Sequence, residues 1–276
     1  MVLRGLMTAS VAFSLSCSEG RAPEEPTTWF DPGSAASVEE FVAFTDQNYD
    51  FPADPSTGIQ ALHDAVFPVG QWATAFGPDD AWTGNSCETE VDDDLPFEVE
   101  GIVTLHPRWY FKTHGCDDGD EKFYGSFFIQ DGTSGIFVLG DSKVAHFDMG
   151  ARVKMKVRGV RTIYDLNVVY AHDITEIVDY GPTPIYYDEA TEALGLDDVG
   201  RVKSVKGTVI SSKDTFGEFQ IQAENGLKYT VNIDADLSRR GFGFDEGTVI
   251  TVRGPVLYSY STFGILVIRS GQVTVH

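Results

Sequence analysis

Cysteine is scarce in this chain, with three in 276 residues, and bases are outnumbered two to one: 20 Lys and Arg stand against 42 Asp and Glu, for a formal net charge of −22. So few cysteines exclude a disulfide-dense scaffold, and 42% apolar residues with 12% aromatics supply packed cores instead. No run approaches about 20 apolar residues, so no segment reads as a transmembrane helix. Hydrolase and nucleotide signatures are missing too. There is no GxSxG elbow, HExxH pair, P-loop or Rossmann fingerprint, and no histidine lies four residues from another. The expectation is a non-catalytic protein without a cofactor; a hydrolase with a site assembled from distant residues is the remotest alternative.

The acid excess is uneven. Residues 18–96 hold 17 Asp and Glu against Arg21 alone, residues 97–180 hold 13 acids against 9 bases, and residues 201–276 hold 7 against 9. The acidity therefore belongs mostly to a leader region, which reads as a solvated tether, with a fold-back over a basic surface as its functional alternative. Two short helices are expected inside it. SVEEFVAF (37–44) has Glu40 three residues after Ser37, as in a capping box, and GIQALHDAVF (58–67) gathers Ile59, Leu62, Val66 and Phe67 on one side.

Residues 1–17, MVLRGLMTASVAFSLSC, combine Arg4, a short apolar run and small residues before Cys17, the pattern of an export signal. The segment resembles a bacterial lipoprotein signal, although Leu15 sits one place later than that pattern has it. The resemblance implies lipid attachment at Cys17, at about 0.8 kcal/mol per buried CH₂, and a cell-envelope location. Cys87 and Cys116 then remain as an even pair in an oxidising compartment, and a disulfide closing a ring of about 30 residues would contribute about 3.5 kcal/mol. Metal ligation helped by His114 is the rival, one ligand short of a tetrahedral site.

What the sequence has in quantity is a β-rich unit written twice. SFFIQDGTSGIFV (126–138) with FDMGARVKMKVRG (147–159) recurs loosely as EFQIQAENGLKYTV (218–231) with FDEGTVITVRG (244–254). Each copy starts with a Gly-centred strand, VEGIV (99–103) or VKGTV (205–209), and ends with one apolar strand, 166–178 or 263–275. The turn at Gly132 to Gly135 suits a hairpin needing positive φ. The expected fold is mainly β: two tandem five-stranded barrels, 97–180 and 201–276, joined by a connector at 181–200 with a brief helix at EATEALG. Five strands with an early glycine, a β2–β3 hairpin and an insertion between the third and fourth resemble the OB-fold. The phrase FFIQDGTSGIFV is similar to accessory OB domains of bacterial secreted nucleases and surface lipoproteins. The second copy departs from it, with Gln222-Ala223-Glu224 in place of Gln130-Asp131-Gly132.

Three groups of residues carry candidate chemistry. Arg152, Lys154, Lys156 and Arg158 alternate with apolar residues and so share one face. They form either a phosphate-tracking stripe or cross-strand ion pairs with Glu98 and Glu100. Phe127 and Phe128 lie where OB-folds bind ligands, although alternation sends one of them into the core. Asp117, Asp118, Asp120 and Glu121 could hold Ca²⁺ with hard oxygen ligands, or form a solvated loop. The reading is an exported, lipid-anchored binding or scaffold module for a protein or glycan, with single-stranded nucleic acid or another polyanion as the alternative and specific binding expected in the first barrel.

Overall fold

In a β-strand alternate side chains leave on opposite faces, and that period sorts both halves of the chain into a core side and an outer side. The computed structural model describes residues 41–49, 58–66, 98–105, 111–115, 121–140, 147–157, 159–163, 166–171, 174–259 and 261–276. After a two-residue strand β1 (Phe44–Thr45) and helix α1 (Ile59–Val66), the first region runs β2 (Glu98–Leu105), β3 (Phe111–Gly115), β4 (Glu121–Gln130), β5 (Gly135–Gly140), β6 (Arg152–Lys156), β7 (Gly159–Ile163), β8 (Leu166–Ala171) and β9 (Ile174–Asp179). Val99 and Val103, Phe127 and Ile129, Ile136 and Val138, and Val153 and Met155 point into one core, where Ile59 and Leu62 of α1 join them.

The connector holds β10 (Ile185–Tyr186), β11 (Asp188–Glu189) and a 3-10 turn at Leu196–Asp198. Then come β12 (Val202–Val209), β13 (Glu218–Ala223), β14 (Lys228–Ile233), α2 (Ala235–Arg239), β15 (Val249–Ser259), β16 (Thr262–Val267) and β17 (Val273–Val275). Five of these strands close a ring. β12 pairs β13, β13 pairs β14, β14 pairs β16 in parallel, β16 pairs β15, and β15 returns to β12. This is the OB order, and the insertion expected between the third and fourth strands is α2, whose Leu237 enters the core. The first region repeats the order with its fourth strand in two pieces: β6 lies against β2, β7 against β8, and β5 and β8 are parallel.

Each closing apolar strand expected from the sequence is in fact two. Residues 166–171 pair β5 and β7 while 174–179 pair β6, and residues 262–267 pair β14 and β15 while 273–275 return to β15. In the second copy a 3-10 turn at Ser270–Gln272 breaks the run. The buried Gln272 repairs the break: its Oε1 accepts from the Ile268 and Arg269 N–H groups, and its Nε2 donates to the Arg253 and Leu266 carbonyls. The connector helix does not form, because Asp188–Glu189 is drawn into a parallel pairing with β12. Phe44, expected at the end of a helix over 37–44, instead opens the strand Phe44–Thr45 paired with β10, and residues 41–43 are not helical; residues 37–40 lie outside the described ones. The other expected helix is α1.

The two barrels meet along a seam. Ile102 and Met149 from the first, Ile185 from the connector and Val202 from the second form one buried cluster, bordered by Val42, Phe44, Tyr49, Tyr187 and Ile268. Val199 centres another, with Phe137 on one side and Leu257, Tyr258 and Phe263 on the other. Asp148 and Arg269 form an ion pair across the seam. At its tightest point Gly135 lies against Gly200, and a Cβ on either glycine would drive into the other's backbone. Of the acidic leader region, residues 41–49 and α1 belong to the packed body.

Candidate functional site

The basic strand is neutralised by its neighbours. Arg152 pairs with Glu100, and the Lys154 ammonium lies 2.5 Å from Glu98. Glu176 of β9 sits opposite Lys154 on the other side. The hydrogen bond and charge of Glu98, supported by Glu100 and Glu176, hold the Lys154 amine above its ordinary pKa. Lys156 is exposed and stands in register with Glu98. Three acids therefore face three bases, the ion-pair arrangement expected as the alternative to a phosphate stripe. Arg158 lies outside the described residues.

Phe127 and Phe128 are both 0% exposed, which corrects the expectation that their rings stack on a ligand. Phe127 meets Phe147 inside the first barrel at 5.2 Å between centroids, and Phe128, on the opposite face, meets Phe137 at 4.9 Å. The outer face of β2, β4 and β5, bearing Ile102, Phe128 and Phe137, is the one that OB-folds use for ligands. Here it is turned into the seam.

The polar residues after Phe128 serve the same closure. Gln130, 2% exposed, accepts from the Val202 N–H through Oε1 (2.6 Å) and donates from Nε2 to the Tyr186 carbonyl (3.2 Å). Asp131 accepts from the Thr133 and Ser134 N–H groups and the Thr133 hydroxyl with Oδ1, and from Ile59 N–H of α1 with Oδ2 (2.8 Å). It is a helix cap supplied from 72 residues away. The turn is thus held by an Asx bridge, and neither Gly132 nor Gly135 has positive φ. Buried His63 completes the joint, with Nε2 2.9 Å from the Gly135 carbonyl, and desolvation lowers its pKa.

In the second barrel the equivalent face is open. Phe219 and Ile221 of β13 and Tyr229, Val231 and Ile233 of β14 fill the core, so Glu218, Gln220, Gln222, Lys228, Thr230 and Asn232 stand outward. Register arranges them in three ranks: Thr208, Gln222 and Lys228; Gln220, Thr230 and Gly264; Glu218, Asn232 and Leu266. Asn232 lies over Gly264, where a Cβ would come within 2.8 Å of its amide. At the Glu218 end Phe216 is 83% exposed, and Asp214 accepts the Phe216 and Glu218 N–H groups to shape the loop. Attention to the first copy missed this face, although the polar alternation of EFQIQA was its signal.

The basic surplus of the second barrel is largely used internally. Arg201 pairs with Asp188, Lys203 with Asp198, and Arg269 with Asp148. Lys213 donates to the Ser238 and Phe242 carbonyls, and desolvation lowers its pKa. Lys206, Lys228 and Arg239 are exposed.

Cys17, Cys87, Cys116, Asp117, Asp118 and Asp120 lie outside the described residues, and the Glu121 side chain does too. Among the described residues no three acids, cysteines or histidines gather as metal ligands.

No family model and no characterised protein matches the sequence. Among solved structures the chain is similar to the second OB-fold domain of replication protein A from Methanococcus maripaludis, at 19% identity and TM-score 0.25 over 30% of this chain and 82% of that one. It is similar to tetrameric p202 HIN2 at 12% identity and TM-score 0.29, covering 64% of this chain and 92% of that one. The single-stranded DNA binding protein from Thermus aquaticus gives 11% identity and TM-score 0.23, over 64% and 90%. The OB-type architecture rests on the strand pairing of this chain itself.

Proposed function

We propose that the chain is a non-catalytic binding module whose ligand lies along the open outer face of β13 and β14. The observation that carries this reading is the asymmetry between the barrels: the face that OB-folds use is closed by the seam in the first and bare in the second. The open face is built of amides and hydroxyls, with Lys228 and Glu218 at opposite ends. Such a surface suits an uncharged chain-like ligand, a glycan or an extended protein segment, held by hydrogen bonds. Export and lipid attachment at Cys17 belong to the reading as proposals resting on the sequence alone. The test is titration of neutral oligosaccharides and extended peptides against the full chain and a Gln220→Ala, Gln222→Ala variant. Binding that the double variant weakens about tenfold or more, at an unchanged urea midpoint, supports the reading. Binding indifferent to both substitutions moves the site elsewhere.

Single-stranded nucleic acid is a second reading, favoured by Phe216, exposed in the loop between β12 and β13, and by exposed Lys206 and Lys228. Phe216 at the Glu218 end would stack a base, and the cations toward the Lys228 end would meet phosphates further along the same strand. Oligothymidine binding should then weaken from about 50 to about 200 mM salt, with a log–log slope of about −0.7 per phosphate contacted. A salt-insensitive ligand excludes it.

A further inference from the structure

Arg253 has no acid. It stands on the outer side of β15, directly across from Ser204 of β12. Its Cζ lies 5.8 Å from the centre of the Phe44 ring and 5.0 Å from that of Tyr187, and the two rings meet edge to face at 6.4 Å. Aromatic faces attract and orient a guanidinium, but they do not accept the N–H groups along its edge. The Arg253 Nε is sealed from solvent without an acceptor, and so is the Ser204 hydroxyl. Paired residues on neighbouring strands have Cβ atoms about 5 Å apart, so the two donors can share one acceptor.

Shortage of carboxylates does not explain this. The chain has 22 more acids than bases, and Arg152, Lys154, Arg201, Lys203 and Arg269 each hold one. Glu189 of β11 is in register with Ser204 from the far side, yet it is exposed and bonds to neither residue. The nearby backbone carbonyls are engaged as well: that of Ser204 accepts from the Ala190 N–H, and that of Arg253 from Gln272 Nε2.

We propose that Arg253 and Ser204 form a binding site for an oxyanion, a carboxylate or phosphate group, at the seam between the barrels. One ligand oxygen accepts from Arg253 Nε–H and the Ser204 hydroxyl. A second accepts from a terminal guanidinium N–H, the fork geometry that arginine presents to planar or tetrahedral oxyanions. Phe44 and Tyr187 fix the guanidinium plane, so the fork is formed before the anion arrives. Because Arg253 is only half-buried, its outer nitrogens give the approach from solvent. The site is separate from the Gln220 face and does not rest on the reading of that face.

The test follows the Arg253 Nε–H resonance of the full chain, assigned by its loss in Arg253→Lys, during titration with sodium phosphate and, separately, sodium acetate at matched ionic strength. A saturable shift of this resonance is expected, weakened about tenfold in Ser204→Ala and accompanied by a higher unfolding temperature that Arg253→Lys does not show. The tighter arm identifies the oxyanion. A resonance that neither salt moves overturns the proposal, since a sealed water then satisfies the pair. A resonance that moves in Glu189→Gln without added anion also overturns it, making Glu189 the partner.

Discussion

The hairpin at Asp131 and the hairpin at Glu224 occupy the same place in two barrels of the same strand order, and they do opposite things. The first turns its key polar groups inward: Gln130 to the second barrel, Asp131 to α1, and the Gly135 carbonyl to His63. The second keeps Gln222 exposed and closes with Asn225 and with Gly226 at φ +84°, while the connector backbone accepts hydrogen bonds from Asn225 and the Tyr229 hydroxyl. Because the strand period is two, one barrel interior can coexist with an apolar outer face or a polar one. The duplication thus yields one barrel whose outer face is a joint and one whose outer face is free.

Closing the space at the joint should have the largest effect. Gly135→Ala places a Cβ against the Gly200 backbone and should lower unfolding free energy by about 3 kcal/mol. In the second hairpin a Cβ on the turn glycine Gly226 would stand in open space, so Gly226→Ala costs only the strain of a positive φ, about 1 kcal/mol. Urea unfolding of the two variants measures the contrast. Asp131→Ala removes the α1 cap and the Asx bridge and should cost about 2 kcal/mol, whereas Glu224→Ala should stay within about 0.5 kcal/mol.

The pH dependence of the joint follows from His63. Desolvation holds its folded pKa below the ordinary 6.5, so the unfolded chain takes up the proton first as pH falls. Stability from this group is complete above about 6.5 and declines with acidification until the folded pKa is passed. His63→Gln, which keeps a donor for the Gly135 carbonyl, should flatten the unfolding profile in that window. An unchanged profile would detach His63 from the joint. The smallest effect is expected at the basic strand, where Lys154→Ala should leave the urea midpoint where it was, since solvent screens exposed pairs.

The fold was legible because period-two alternation survives in strands such as β6, β13 and β14: Val153 and Met155, Phe219 and Ile221 can be assigned to cores from spacing alone. The split of each closing strand was not, since an apolar run shows neither which neighbour it pairs with nor where it changes partners; Ser270 to Gln272 was the polar hint. The ion pairs of Arg152 and Lys154 were readable as one of two outcomes, decided by Glu98 and Glu100 on the neighbouring strand. The closed face was hidden for a different reason. Consecutive Phe127 and Phe128 imply a core on both sides of β4, but only tertiary docking reveals that the second core is the other barrel.

Hydroxyl-radical footprinting of the intact chain tests the central claim most directly, because phenylalanine oxidation reports solvent access to each ring. Rapid labelling of Phe216 and protection of Phe128 are expected for as long as the chain is folded. Labelling of Phe128 at a rate approaching that of Phe216 would contradict that claim, for the outer face of the first barrel would then be open.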